Sequence, residues 1–173
     1  MARKIAESGA FVALAMVLSY VETLIPINFG IPGMKLGLAN LAVVTALYLL
    51  GASQALEISV VRIVLMAFIF GNLAAMAYSL TGGLLSFAAM ALLYRRESLS
   101  PLGVSAVGGA MHNLGQLLAA AAVVENLQVF YYLPILLAAG TVTGVLLGIG
   151  AGRLLPALRR NRRESWKERE TNS

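Results

Sequence analysis

The chain has 173 residues, of which 59% are hydrophobic and only 12% are charged, and its mean hydropathy is +0.81. Soluble domains are about half apolar and about a quarter charged, so this composition predicts an integral membrane protein. The formal net charge of +5 does not indicate nucleic-acid binding, because the basic residues cluster beside apolar runs, where they set membrane topology.

Several chemistries are excluded by residue types that the chain lacks. It has no cysteine, its single histidine is His112, and all eight acidic residues are glutamate. Disulfides, Cys-ligated zinc, multi-histidine metal sites and Asp-rich sites for magnesium and diphosphate are therefore ruled out. The chain also contains no Walker A motif. We predict that it is not an enzyme by itself and that it holds no metal or other cofactor.

The uncharged runs predict an all-α bundle of six membrane-spanning helices, since one span needs about 20 apolar residues. The predicted bounds are about 5–24, 35–50, 53–71, 73–94, 101–124 and 130–155. Ser53 is predicted as the N-cap of the third helix, with Glu57 in its first turn. Ser100 and Pro101 fit the N-cap and first position of the fifth. Residues 1–155 would form the transmembrane domain, and residues 156–173 a loose, basic, polar tail.

The basic clusters predict the orientation of the bundle. They are Arg3 with Lys4, Arg95 with Arg96, and the tail from Arg153 onward. Six spans place all three on one side, and the positive-inside rule makes that side the cytoplasm. We therefore predict a multi-pass protein of the cell membrane with both termini in the cytoplasm. Lys35 is then the only basic residue at the outer face.

Lys35 lies in the stretch Ile-Pro-Gly-Met-Lys-Leu-Gly-Leu-Ala-Asn of residues 31–40. It stands at the predicted N-terminus of the second helix, where free N–H groups and the helix dipole favour an anion. Gly33 and Gly37 leave room for a ligand, and residues 27–34 form a predicted external loop that could cover it. The alternative is a lysine that extends to the lipid headgroups.

Polar residues inside the predicted spans are the other candidates for binding. Arg62 lies roughly 12 Å into the third helix; it either contacts a ligand or forms an internal ion pair with Glu22 or Glu57. Glu22, near the outer end of the first helix, could contact Lys35 or a ligand. Asn40, one turn below Lys35, either joins two helices or lines a cavity.

The fifth helix carries a second polar group. His112 and Gln116 share a face because they are four residues apart, and Asn113 lies beside them. They either form the polar wall of a cavity or make hydrogen bonds between helices.

Small residues recur at helical spacing in two predicted helices. The sixth contains Gly140, Gly144, Gly148 and Gly152, a ridge typical of close helix packing inside a bundle. The first helix has four small residues near its N-terminus, which either pack inside the bundle or dock on a partner membrane helix. They are Ala6, Gly9, Ala10 and Ala13.

Four segments together resemble a known family. They are residues 19–22 (Ser-Tyr-Val-Glu), residues 32–40, residues 80–86 (Leu-Thr-Gly-Gly-Leu-Leu-Ser) and residues 112–116 (His-Asn-Leu-Gly-Gln). In this order they resemble the Gx transporter family, also catalogued as heptaprenyl diphosphate synthase component I, which is similar to the S components of energy-coupling-factor importers. The resemblance extends to about Leu155.

That resemblance implies a fold and partners. The fold would be six helices with cytoplasmic termini and an external loop over a pocket. Ala6 and Ala10 match the spacing by which S components dock on a transmembrane coupling subunit, and two cytoplasmic ATPases would supply the energy.

Two functions follow as hypotheses. In the first, the chain captures a small molecule with an anionic or polar group for a vitamin- or cofactor-type importer. The predicted substrate-binding residues are Glu22, Lys35, Asn40, Arg62, His112, Asn113 and Gln116. In the second, the chain is a non-catalytic membrane component of heptaprenyl diphosphate synthase. A purely structural packing protein is a third possibility, which predicts a bundle without a pocket.

Overall fold

A computed structural model describes residues 2–24, 37–71, 73–96 and 99–171 of the protein. Every regular element within these ranges is helical. The elements are α1 (Ala2–Leu24), α2 (Asn40–Leu49), α3 (Ala52–Phe70), α4 (Leu73–Arg95), α5 (Pro101–Val124), a 3-10 helix (Leu127–Tyr132) and α6 (Leu133–Thr171).

Five of the described helices are long and apolar enough to cross a membrane: α1, α3, α4, α5 and α6. The predicted all-helical membrane class is thus confirmed. The helix α2 has only 10 residues, which at 1.5 Å per residue is about 15 Å, or roughly half of the hydrocarbon core. It begins at Asn40 and not near Lys35. The number of spans and the cytoplasmic placement of the termini stay predictions.

The turn between α2 and α3 depends on a glycine. Gly51 is the N-cap of α3 and has a φ of 99°, a conformation that L side chains rarely adopt. The prediction of Ser53 as the N-cap was therefore wrong, and Glu57 lies beyond the first turn. At α5 the prediction was right, because Ser100 is the N-cap and Pro101 opens the helix.

The polar tail differs from its prediction because α6 continues through Pro156 to Thr171. Beyond the proline, Arg162 Nη1 donates to the Leu49 carbonyl oxygen at 2.6 Å, and Arg159 Nη2 donates to that of Tyr48 at 3.3 Å. The last carbonyl groups of a helix have no partner within it, so these arginines cap the C-terminus of α2. Arg162 also pairs with Glu7 of α1 at 3.3 Å.

These contacts join the end of α6, with Arg159 and Arg162, to the C-terminus of α2 and the beginning of α1, at the end of the bundle that we call the basic end. The ring of Tyr94, next to Arg95, lies 5.0 Å from the ring of Tyr48. The Tyr48 hydroxyl in turn donates to the Leu99 carbonyl at 3.1 Å. The opposite end, called the distal end, holds the C-termini of α1, α3 and α5.

The helices α4, α5 and α6 pack closely through glycines. A Cβ atom on Gly109 of α5 would overlap the carbonyl oxygen of Gly140 in α6, and one on Gly148 would lie 2.6 Å from the Leu102 Cα. Gly144 faces Ser105 in the same way, whereas nothing lies within 4 Å of a Cβ on Gly152. Three of the four ridge glycines therefore pack inside the bundle, and the fourth does not.

Candidate functional site

Buried polar side chains from five helices form one connected group in the interior. We call it the polar cluster; its members are Ser19 and Glu22 of α1, Asn40 of α2, Arg62 of α3, Ser86 of α4, and His112 and Gln116 of α5. Each is at most 7% exposed. Among the described residues, four other polar side chains are buried, namely Thr45, Ser59, Ser105 and Asn113, but the buried glutamate, arginine and histidine all belong to the cluster.

Glu22 of α1 makes a hydrogen bond to the turn that precedes α2. The Gly37 N–H donates to Glu22 Oε1 at 2.5 Å, a bond strengthened by the carboxylate charge. Gly37 has a φ of 85°, and its carbonyl oxygen accepts from the Asn40 N–H at 2.8 Å. The turn that starts α2 is thus held by an acid 15 residues earlier in the chain.

Arg62 is buried in α3 and directed towards α1. Its Nη1 donates to Ser19 Oγ at 3.0 Å, and its charge interacts with that of Glu22. Glu57 is exposed, so of the two acids proposed as ion-pair partners the structure favours Glu22. Within the described part of the chain, Arg62 Nε has no hydrogen-bond partner.

The imidazole of His112 lies between two glycines. A Cβ on Gly37 would be 3.3 Å from His112 Cδ2, and one on Gly82 would be 3.3 Å from His112 Cε1 and 2.8 Å from Gln116 Cγ. His112 and Gln116 therefore face α4 together, as their spacing predicts. A Cβ would overlap its neighbours at Gly82 and would be in tight contact at Gly37, so the ring is closely enclosed.

The two asparagines have different surroundings. Asn40 Nδ2 lies 3.5 Å from Ser86 Oγ, within the polar cluster. Asn113 Nδ2 instead donates to the Leu136 carbonyl of α6 at 2.8 Å. This is a hydrogen bond between helices, one of the two alternatives that the sequence analysis gave. A ligand-binding role for Asn113 stays a prediction.

Lys35 and the predicted loop of residues 27–34 lie outside the described residues. The anion site assigned to Lys35 is therefore a prediction whose geometry the structure does not describe. Of the described residues that follow Lys35 in sequence, Gly37 contacts the polar cluster and Asn40 belongs to it.

A cavity of about 220 Å³ adjoins the cluster on its α1, α3 and α4 side. Arg62 and Ser19 line it, together with Thr23 near the distal end of α1. Sequence reasoning singled out Arg62 and Glu22 but missed Ser19. Ser19 shares a helix face with Glu22, three residues later, but serine is too common in membrane helices for this spacing to single it out.

The predicted partner face of α1 is exposed. Ala6, Gly9, Ala10 and Ala13 are all accessible, and a Cβ on Gly9 would meet nothing within 4 Å. Beside Gly9, at the basic end, a groove of about 670 Å³ separates α1 from α3. These small residues are therefore not used for packing against the described helices.

Long apolar helices around a buried polar cluster define an α-helical integral membrane protein. Residues 11–154 match the family described as heptaprenyl diphosphate synthase component I, and the chain belongs to this family. The match confirms the family that the sequence segments indicated. No curated protein and no solved structure matches the chain.

Proposed function

We propose that the chain is a membrane-embedded subunit that binds a small molecule, as the substrate-capture component of a vitamin- or cofactor-type importer. The observation that carries this proposal is the polar cluster. Ionisable and hydrogen-bonding groups are costly inside a membrane and are retained there mainly for function. Here five helices each contribute at least one such group, next to a cavity.

We assign each residue of the proposed site a role according to its position. The polar edge of the ligand would contact His112, Gln116 and Asn40, since all three are buried polar side chains of the cluster and His112 lies against Gly37, just before α2. Glu22 would hold the turn at Gly37, which connects the site to residues 25–36. Lys35 would bind an anionic group of the ligand, and Lys35→Ala should then weaken binding without unfolding the protein.

Mass spectrometry of small molecules that co-purify with the protein in mild detergent tests this function. We expect the wild type to retain one molecule and His112→Ala to lose most of it. Gln54→Ala is the matched control, because Gln54 is partly buried at the basic end and contacts Ser8, away from the cluster. Equal retention by wild type and His112→Ala would contradict the assignment of His112.

A second candidate is an accessory role in heptaprenyl diphosphate synthase, which the family match favours. Prenyl transfer itself needs clustered acids to hold magnesium and diphosphate, and the chain has no aspartate. The role would therefore be non-catalytic, with a soluble synthase subunit as the partner.

The partner separates the two candidates. Under the importer function, the exposed face of Ala6, Gly9, Ala10 and Ala13 docks on a transmembrane coupling subunit with cytoplasmic ATPases. Affinity purification from native membranes should then recover those ATPases, and Ala10→Leu should release them. Recovery of a prenyl synthase instead, without a retained small molecule, would favour the accessory role.

A further inference from the structure

The cavity beside Arg62 has one polar side and one apolar side. Its polar side carries the hydroxyl groups of Ser19, Thr23 and Ser79, and its apolar side consists largely of Ile63, Met66 and Phe70. The volume of about 220 Å³ equals that of about seven water molecules in the liquid. That space fits one ring with a short substituent, or one end of a larger molecule.

Arg62 lines this cavity, and its guanidinium group has more hydrogen-bond donors than the described residues satisfy. A guanidinium group has five N–H donors and no acceptor. Its Nη1 donates to Ser19 Oγ, and its Nε has no partner in the described ranges, although the side chain is 93% buried (7% exposed). A buried donor without an acceptor is unfavourable, so the described residues leave Arg62 one acceptor short.

The charges nearby decide what kind of acceptor fits. The charge of Glu22 offsets that of Arg62, so this pair has no net charge. An added anion would leave a net negative charge inside the membrane, which is costly. An uncharged acceptor, such as a carbonyl oxygen, satisfies the donor without that cost.

The apolar side favours a ring next to this carbonyl. Phe70 offers an aromatic face or edge, and Met66 offers a polarisable thioether that packs well against aromatic groups. Both residues line the cavity together with Arg62. A conjugated or aryl carbonyl would place its oxygen at the guanidinium group and its ring against these two side chains.

We propose that this cavity binds the carbonyl end of an uncharged, ring-containing ligand, with Arg62 as the hydrogen-bond donor. The inference rests on the proposed ligand-binding function and assigns the ligand's chemistry at this position. An anionic group of the same molecule would not belong in this cavity.

Three small probes test the proposal because they share one benzene ring and differ in the polar group. Acetophenone carries a neutral carbonyl, benzoate carries a charge, and ethylbenzene carries neither. Calorimetric titration of each into the full-length protein, in one detergent, compares their affinities. We expect acetophenone to bind at least about tenfold more tightly than the other two. Benzoate binding as tightly as acetophenone would overturn the proposal.

Variants of Arg62 connect the result to the residue. Arg62→Lys keeps the positive charge opposite Glu22 but lacks the planar donor group, so we expect a folded protein with about tenfold weaker acetophenone binding. Arg163→Gln is the control, since this exposed arginine lies at the basic end. Acetophenone affinity that stays within about twofold in Arg62→Lys would overturn the assignment.

Failure of this inference is distinguishable from failure of the proposed function. If the wild type retains a small molecule and Arg62→Lys retains it equally, with unchanged acetophenone affinity, the cavity assignment alone is wrong. If acetophenone binds as expected but no molecule co-purifies with the wild type, the cavity assignment stands and the importer function loses its support.

Discussion

The two halves of the bundle are held together by different interactions. The helices α4, α5 and α6 approach backbone to backbone, as at Gly109 with Gly140 and at Gly82 with Gly115. The helices α1, α2 and α3 are joined at the site by polar contacts, such as those of Glu22 with Gly37 and of Arg62 with Ser19. We call these the glycine-packed half and the polar half.

The difference indicates which half can respond to a ligand. Lipid tails are as apolar as the side chains, so burying apolar groups does not drive helices together, and helices in a membrane associate largely through close packing of small residues. A ligand cannot replace these backbone-to-backbone contacts by contacts of its own. A hydrogen bond can exchange its partner for a ligand atom, and the polar half therefore contains the contacts that ligand binding can change.

The largest effect is expected in the glycine-packed half. Gly109→Leu would place a side chain where α5 meets the carbonyl oxygen of Gly140. Overpacking that forces the backbone apart should lower the free energy of unfolding by about 3 kcal/mol or more. Unfolding of the detergent-solubilised protein, followed by circular dichroism, measures this loss.

Gly152→Ala is the control on the same ridge of α6. Nothing lies within 4 Å of a Cβ at this position, and alanine favours a helix over glycine by about 0.5–1 kcal/mol. We expect unchanged or slightly higher stability. Equal losses in Gly109→Leu and Gly152→Ala would mean that the close approach of α5 and α6 is not what holds this half.

The next effect concerns the charges of the polar half. Arg62→Met removes the positive charge and leaves the Glu22 carboxylate buried, which should cost about 3 kcal/mol of unfolding free energy. Adding Glu22→Gln removes the remaining charge, so the double variant should be more stable than Arg62→Met. If the double variant is the less stable of the two, the charges of Arg62 and Glu22 are not coupled.

A smaller effect is expected where the α6 extension caps α2. Arg162→Gln removes the bond to the Leu49 carbonyl and the ion pair with Glu7, worth about 1 kcal/mol together because the pair is partly exposed. Faster hydrogen exchange of the α2 amides, measured by mass spectrometry, would report it. Arg160→Gln is the control, since in the described part of the chain Arg160 pairs with the exposed Glu164 at 3.8 Å, a contact worth about 0.5 kcal/mol or less.

Sequence reasoning located most helices closely, and the reason is local. The predicted bounds of α5 agree with the structure, and those of α4 differ by one residue at its end. Both helices are long apolar runs bounded by charged, glycine or proline residues. The start of α2 and the end of α6 were misplaced, because the turn at Gly37 and the capping by Arg159 and Arg162 depend on residues far away in the sequence.

The candidate site was partly predictable for a similar reason. A charge or a histidine is rare inside an apolar run, so Glu22, Arg62 and His112 could be singled out without a structure. Ser19 and Gly82 could not, because serine and glycine are common in membrane helices. Their importance comes from what lies opposite them, namely Arg62 and His112.

By itself, the sequence determined that the protein is helical and membrane-embedded, since composition and run length depend only on neighbouring residues. Helical spacing also determined which polar residues share a face. Only the tertiary structure decided which element each face meets. It brings Glu22 rather than Glu57 to Arg62, leaves Gly152 unpacked, and turns a basic tail into the cap of α2. The sequence periodicity shows which residues lie on one face of a helix, whereas the packing of all the helices decides which residues that face contacts.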